Sequence, residues 1–417
     1  MKFLLLTQYF PPEIGGAQTR LRSTAVELKR LGHDVEIVTA LPNYPRGKFY
    51  PGYEGRIYLR EEFEGITVRR VWLYPAMGGG LRRMLNYASF TIMSLFGLLL
   101  SRRPDFIFVE SPPLFLSIPA CVAGFLWRVP FIFNVADLWP DIVVEGGFLK
   151  QGPLIRLMRR LEQWSYRSAG YVNAVTEGMR DTLIREKQVA ADKILFLPNG
   201  ADTLHYQPRA PDASLISRLG LHGKKIILWA GTLGHAHGLS YVLDAAKLLE
   251  RERDVYFLFI GDGSAKRELA AQSDRLSLSN VRFLDPVAIE QLPPYYSIAI
   301  CGLVSLLPIP LYDGARPSKI FPILASGKPV LFVGKGETAR LIQEARAGIV
   351  VAPENPRALA DAVRQLANQP EAAEELGKNG RRYVEAHYQW STLISDWVAG
   401  LRPDLPHAGV AARTSEI

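Results

Sequence analysis

A chain of 417 residues is longer than one hydrophobic core usually serves, so two domains are expected. Its 48% hydrophobic and 22% charged composition excludes a disordered chain, and two cysteines, Cys121 and Cys301, are too few for a disulfide framework or a zinc site, which fits a reducing cytosol. The formal charge of +8 implies an anionic partner; Lys and Arg are spread along the chain without a nucleic-acid-binding motif, which favours a phosphorylated substrate or a phospholipid surface over nucleic acid.

The opening MKFLLLTQYF has one Lys, a short apolar run and no small-residue cleavage site, so 2–7 reads as a buried strand rather than a signal peptide. Gly15 and Gly16 open a helix pattern that ends at Gly32. Strands are predicted next at 35–39, 67–73, 105–110, 130–135, 171–175 and 194–197, with helical patterns between most of them. The segment 199–208 (NGADTLHYQP) reads as a linker. Beyond it the alternation repeats, with strands at 225–230, 255–260, 281–284, 299–304, 330–333 and 348–351 and PRALADAVRQLA as a late helix. This spacing predicts an α/β protein of two doubly wound parallel sheets. The expected domains are 1–200 and 201–385, with 386–403 returning to the first domain as a helix and 404–417 as a mobile tail.

Two apolar stretches stand out in the first half. Residues 81–103 carry Arg pairs at both ends of an apolar middle that is at the lower limit for spanning a bilayer, and that middle holds Asn86, Ser89 and Ser94. A core helix and a helix half-sunk in the lipid interface both fit; a full span would split the first sheet across the membrane. Residues 112–127, broken by Pro119, read as a helix covering the sheet.

Each half begins with an apolar strand, then glycines, then a helix pattern: Gly15 and Gly16 in the first, Gly231, Gly234 and Gly238 in the second. Such loops can bring backbone N–H groups and a helix N-terminus up to an anion, although a tight strand–helix turn has the same signature. In FNVADLWPD, Asp137 directly follows an apolar strand, the carboxyl-end position where α/β sites gather function; a helix cap is the alternative reading. Asp141 is a second carboxylate nearby. No Asp-x-Asp pair suggests a metal.

The chain resembles glycosyltransferase family 4, in its bacterial O-antigen, capsule and exopolysaccharide branch. The resemblance runs to about residue 400 and rests on QYFPPEIGG, LPNYPRGKFYPGY, RPDFIFVESPPLFL, DLWPD, LPNGAD, WAGTLGHAHGL, FIGDG, NVRFLDPV, PSKIFPILASGKPV and GETARLIQEARAGIVVAPENPRALADAV. It implies a GT-B fold, two Rossmann-like domains facing a cleft. It also implies retaining transfer from a nucleotide sugar, UDP-linked first, to a saccharide on undecaprenyl diphosphate, by a cytoplasmic protein held peripherally at the inner membrane. No metal or other cofactor is implied.

On the donor side the resemblance places Gly15, Gly16, Gly231, Thr232, Gly234 and His237 at the diphosphate; Thr232 and His237 stand where relatives often carry Arg and Lys. A His237 or His235 cation would be stabilised there by the diphosphate. Gly261, Gly263, Phe283 and Leu284 would flank the nucleotide. Asp137 would orient or accept the acceptor proton, with Ala136 where many relatives have His. Asn43, Tyr44 and Arg46 would meet the acceptor. The Glu-x7-Glu motif of the family is missing: Gly314 and Pro322 occupy its two positions. Arg316, Ser318 and Lys319, with Glu337 near by, are the residues expected to contact the donor instead. The loss leaves two other readings open, a nucleotide-sugar-binding protein without turnover and a nucleotide-sugar epimerase.

Overall fold

Runs such as FLLL and FIFV bury every residue, because a parallel sheet covered by helices hides both faces of its strands. The computed structural model describes residues 1–76, 80–146 and 151–402, so the expected tail from 404 lies outside the described residues. The chain forms two units, Met1–Pro198 with the segment from Trp390 on, and Asn199–Gln389.

The first unit holds β1 (Lys2–Leu6), β2 (Asp34–Ala40), β3 (Tyr58–Phe63), β4 (Ile66–Val71), β5 (Phe106–Ser111), β6 (Phe131–Val135), β7 (Tyr171–Ala174) and β8 (Ile194–Phe196), in sheet order β3-β4-β2-β1-β5-β6-β7-β8. Its helices are α1 (Gly16–Arg30), α2 (Leu81–Leu99), α3 (Ser117–Trp127), α4 (Asp141–Glu145), α5 (Pro153–Ser168) and α6 (Glu177–Arg185). One strand corrects the expectation of an all-parallel sheet: β3 pairs antiparallel with β4 at the edge. Glu64 (φ 51°) and Gly65 (φ 72°) make the two-residue turn, with both residues left-handed as a tight hairpin requires.

Helix α1 and the C-terminal helix Trp390–Ala399 cover one face of this sheet, around Phe3, Leu5, Leu21, Phe106, Ile394 and Trp397. Helices α2 and α3 cover the other. Gly97 lets α2 sit close to the sheet, since a Cβ there would lie 2.7 Å from Val38 and 3.0 Å from Val71. Helix α3 packs on β5 and β6 as expected for a sheet-covering helix, yet Phe125 and Leu126 on its outer side are exposed. No helix among the described residues is long and apolar enough to cross a membrane.

The second unit holds β9 (Lys225–Ala230), β10 (Val255–Ile260), β11 (Val281–Leu284), β12 (Ala299–Ser305), β13 (Val330–Val333) and β14 (Gly348–Val351), all parallel, in order β11-β10-β9-β12-β13-β14. Counted within the unit this is 3-2-1-4-5-6, the order of dinucleotide-binding sheets. Its helices are α7 (Ala213–Leu219), α8 (Leu239–Leu248), α9 (Lys266–Arg275), α10 (Leu292–Ile298), α11 (Ile320–Ala325), α12 (Gly336–Glu344), α13 (Pro356–Asn368) and α14 (Pro370–His387). Pro356 and the Asn355 cap, whose Oδ1 accepts from Ala358 N at 3.1 Å, start α13 where the sequence pattern does.

Strand order reverses between β1 and β5 in the first sheet and between β9 and β12 in the second. In open α/β sheets, ligands bind beyond the carboxyl ends of strands at such points. Both glycine loops leave their sheets there.

Candidate functional site

In the first unit, the loop after β1 is held by a carboxylate that the sequence reading did not single out. Glu13 is buried and accepts from the backbone N–H groups of Asn43 and Tyr44, each at 2.7 Å, and from Gln18 Nε2 at 3.4 Å. It ties the glycine loop to the predicted acceptor loop. Burial lifts its carboxyl to about 7, against the opposing pull of those donors. The signal for it was an acid set between paired prolines and paired glycines. Replacing Glu13 by Ala should strand two buried N–H groups, costing the first unit about 2–4 kcal/mol, read as a lower calorimetric midpoint for that unit.

Gly15 is extended and Gly16 begins α1; a Cβ on Gly15 would fall 2.4 Å from Gln18 Oε1. A larger residue there would have to displace the end of the Gln18 side chain, which donates to Glu13. Asn43 is buried, its amide donating to Leu41 O at 3.1 Å. Tyr44 meets Tyr9 edge-on at 5.6 Å, and Arg46 is exposed beside the Tyr50 ring. Arg83, in the first turn of α2, donates to Tyr9 Oη at 2.6 Å and lies 4.6 Å over Tyr87.

Asp137 follows β6, and water reaches its side chain. It caps no helix: α4 begins at Asp141 without a side-chain cap. The surrounding protein raises its carboxyl to about 6, Arg20 opposing and Glu110 adding to the rise. Arg20, from α1, pairs with Glu110 at the end of β5. Glu110 also accepts from Asn134, Asn134 from Asn173, and Asn173 from the Trp397 indole N–H, at 2.6, 2.6 and 3.0 Å. A polar chain thus crosses the sheet from the returning C-terminal helix to the neighbourhood of Asp137. Asp141 has a different task, pairing with Lys187 and Arg159.

In the second unit, the β9 and β10 loops are stitched together: Gly231 N donates to Ile260 O at 2.9 Å, and Leu233 N to Asp262 O at 2.9 Å. A Cβ on Gly261 would stand 1.9 Å from Gly231 O, and one on Gly263 2.4 Å from Leu233 O. Both glycines, each with φ beyond 140°, are therefore required by the approach of one loop to the other. Thr232 is exposed and Gly234 half-buried on the same loop.

His237 and Lys319 differ from expectation. The His237 ring lies 4.9 Å from Trp229, and its Nδ1–H donates to Ser305 O at 3.0 Å. Burial and the neighbouring Lys319 hold its pKa down at about 3, so it is neutral here rather than the expected cation. His235 is exposed, 3.7 Å from Glu268. Lys319 is a basic side chain placed beside this loop. Its Nζ is buried 3.5 Å over the Trp229 ring, has no hydrogen-bond acceptor among the described residues, and sits 3.6 Å from where a Gly231 Cβ would be. Desolvation pushes its pKa well below the usual lysine range. A buried ammonium without an acceptor is costly unless an anion completes it.

Other predicted donor residues are committed elsewhere. Arg316 is buried against Glu337 and donates to Tyr388 Oη at 3.0 Å, which fastens the loop before α11 to α12 and α14. Ser318 is half-buried beside Lys319. Phe283 stacks on Phe259 at 5.0 Å, so it packs on the core, while Leu284, next along the strand, faces the other side. Gly314 ends a short 3₁₀ turn and Pro322 lies inside α11. Among the described residues, no cluster of His, Cys, Asp and Glu could hold a metal ion.

Two family models match the chain, a glycosyl transferase 4-like domain over residues 15–200 and a glycosyl transferases group 1 domain over 215–383. The putative colanic acid biosynthesis glycosyl transferase WcaI of Escherichia coli K12 is 30% identical over 415 residues, covering 96% of this chain and 100% of the relative. D-rhamnosyltransferase WbpZ of Pseudomonas aeruginosa is 33% identical over 286 residues, 66% of this chain and 70% of the relative. The crystal structure of Anabaena HepE in complex with UDP and glucose superposes with a TM-score of 0.73 at 18% identity, covering 96% and 98% of the two chains. With two sheets of this topology and homology along its length, the chain belongs to the GT-B glycosyltransferases that join a glycosyl transferase 4-like unit to a group 1 unit.

Proposed function

We propose that this glycosyltransferase moves a hexosyl or N-acetylhexosaminyl group from a nucleotide diphosphate, UDP first, to a saccharide on undecaprenyl diphosphate, with retention at the anomeric carbon. The isolated Lys319 ammonium at the β9 glycine loop is the observation that carries the reading. Breaking the glycosyl–phosphate bond places negative charge on the departing diphosphate, and a preorganised cation with nearby loop N–H groups stabilises that charge without a metal. Asp137, with a carboxyl near 6, orients the acceptor hydroxyl or takes its proton. The relative named for colanic acid biosynthesis supports a role in polysaccharide assembly; on this reading the protein works peripherally at the cytoplasmic face of the inner membrane, where a lipid-linked acceptor would be.

The test is incubation of the purified protein with a panel of nucleotide sugars and a polyprenyl-diphosphate saccharide, with the product's anomeric configuration read by NMR. A product of inverted configuration would overturn retention, and no transfer from any donor would overturn the whole reading. Gly314 and Pro322, in place of the two family glutamates, favour one second reading: a binding protein without turnover. That reading predicts calorimetric binding of a nucleotide sugar and no product. An epimerase would instead convert the free sugar nucleotide with no acceptor present.

A further inference from the structure

Residues 41–57 join β2 to β3 without a helix or a strand, and connections of that length are usually functional. At Asn43 and Tyr44 the backbone divides its bonds in two. Both C=O groups are used inside the loop: Asn43 O accepts from Gly47 N and Tyr44 O from Tyr50 Oη, each at 2.8 Å. Both N–H groups are used outside it, on Glu13 Oε1. The loop thus builds its own turn, and Glu13 fixes where that turn stands.

Glu13 is itself held from behind. Gln18 of α1 donates to its second oxygen, and the Glu13 N–H donates to O of the core residue Phe10 at 3.3 Å. Arg70 of β4, 1% exposed, donates to Pro11 O just before Glu13 and, at 3.3 Å, to Ala40 O where the loop leaves β2. Its guanidinium also lies 5.5 Å from the Tyr53 ring farther along the loop. The pairing of β1 with β2 ends at Leu6↔Val38, before Glu13 or Asn43 is reached. Burying a carboxylate costs desolvation that an apolar side chain of similar size avoids, so its use here points to the N–H groups it receives.

We propose that Glu13 is a positioning residue for the acceptor: by holding the N–H groups of Asn43 and Tyr44 it sets the 41–57 loop so that Tyr44 and Arg46 meet the acceptor saccharide. This role rests on the reading of residues 43–46 as acceptor contacts. Tyr44 shows what a shift of the loop would undo, since its ring rests edge-on against Tyr9 at 5.6 Å. The charge of Glu13 is adjustable near neutrality, because burial raises its carboxyl to about 7 against Arg70 and the donors Asn43, Tyr44 and Gln18. The other titratable groups facing it are the phenols of Tyr9 and Tyr50, with Arg46 beside Tyr50. A neutral carboxyl accepts N–H bonds more weakly than a carboxylate, so the loop is held most firmly above that pH.

The test compares the full-length wild type with Glu13→Gln, which keeps the size of the side chain and removes its charge. The variant should raise the KM for a short-chain polyprenyl-diphosphate saccharide by about tenfold, with kcat at saturating acceptor within about threefold of the wild type and the UDP-sugar dissociation constant unchanged. In a protein that binds without turnover, the same change is read in the acceptor's calorimetric dissociation constant. Amide hydrogen exchange at 41–50 should be at least about tenfold faster in the variant, and exchange in β1 and β2 unaltered. The wild-type acceptor KM should rise toward the variant's as pH falls through about 7, while the variant's stays level. Tyr44→Ala and Arg46→Ala separate this role from the reading beneath it. If both raise the acceptor KM and Glu13→Gln does not, the positioning role is overturned and the acceptor loop stands. If none of the three raises it, the loop leaves the acceptor site. Unaltered exchange at 41–50 in Glu13→Gln, or a fall in kcat with the acceptor KM unchanged, would also overturn the proposal.

Discussion

Lys319→Met is expected to weaken UDP-sugar binding by at least about 100-fold while making the Asn199–Gln389 unit more stable. Two charge-assisted hydrogen bonds from an ammonium to phosphate, at about 1.5–3 kcal/mol each, account for the lost affinity. The stability gain, about 1–3 kcal/mol, comes from removing a buried charge that no acceptor satisfies, only partly offset by the lost contact with the Trp229 ring. The sign of its pH dependence follows from the lowered pKa of Lys319. The unfolded chain holds this proton more tightly than the folded one, so wild-type stability rises with pH through this group. The advantage of the Met variant should therefore shrink as pH approaches the unfolded lysine value, roughly 10.4. Isothermal titration calorimetry reads the first effect and scanning calorimetry at neutral and alkaline pH the second. A variant that binds donor like the wild type removes Lys319 from the site. Lys319→Arg should not rescue, since the planar fork would collide with Trp229 and the Gly231 loop.

Asp137→Asn should lower kcat by about 10²–10⁴ and leave the donor dissociation constant nearly unchanged, because the role proposed for Asp137 is toward the acceptor hydroxyl and the amide keeps the size of the side chain. The wild-type pH–rate profile should have an acid limb near pH 6, where the carboxyl must ionise to take or orient a proton; the Asn variant should lack it. Because the folded-state pKa lies above the ordinary 3.8, the stabilising contribution is present below that value and is lost as pH rises through about 6. Above pH 6 the Asn variant should accordingly be at least as stable as the wild type. Full kcat in the variant, measured by radiolabelled sugar transfer at saturating donor, would leave the departing phosphate as the base. Desolvation sets the position of that acid limb, and the Arg20–Glu110 pair adjusts it, Arg20 holding the carboxyl down and Glu110 pushing it up.

Most of the fold was legible because parallel strands buried on both faces read as unbroken apolar runs, and glycines mark where they turn. The antiparallel β3 was not. Its residues Tyr58–Phe63 are half-exposed and charged, and a Glu-Gly turn is a weaker hairpin signal than Asn-Gly or Asp-Gly. Among the candidate residues, Asp137 could be singled out from its place after an apolar strand. Glu13 was not, because its role depends on two backbone N–H groups about thirty positions later, which sequence spacing does not bring near.

By itself, the sequence determined the α/β alternation, the two glycine loops and the residue types available for chemistry, since each depends on neighbours along the chain. The tertiary structure decided which of those residues are charged and which are already engaged. Burial and nearest neighbours through space turned His237 neutral, paired Arg316 with Glu337, left Lys319 without an acceptor among the described residues and put Asn86 and Ser94 of α2 inward beside Phe90 and Leu98. A charge is priced by what surrounds it in three dimensions, and residues far apart in the chain supply those surroundings.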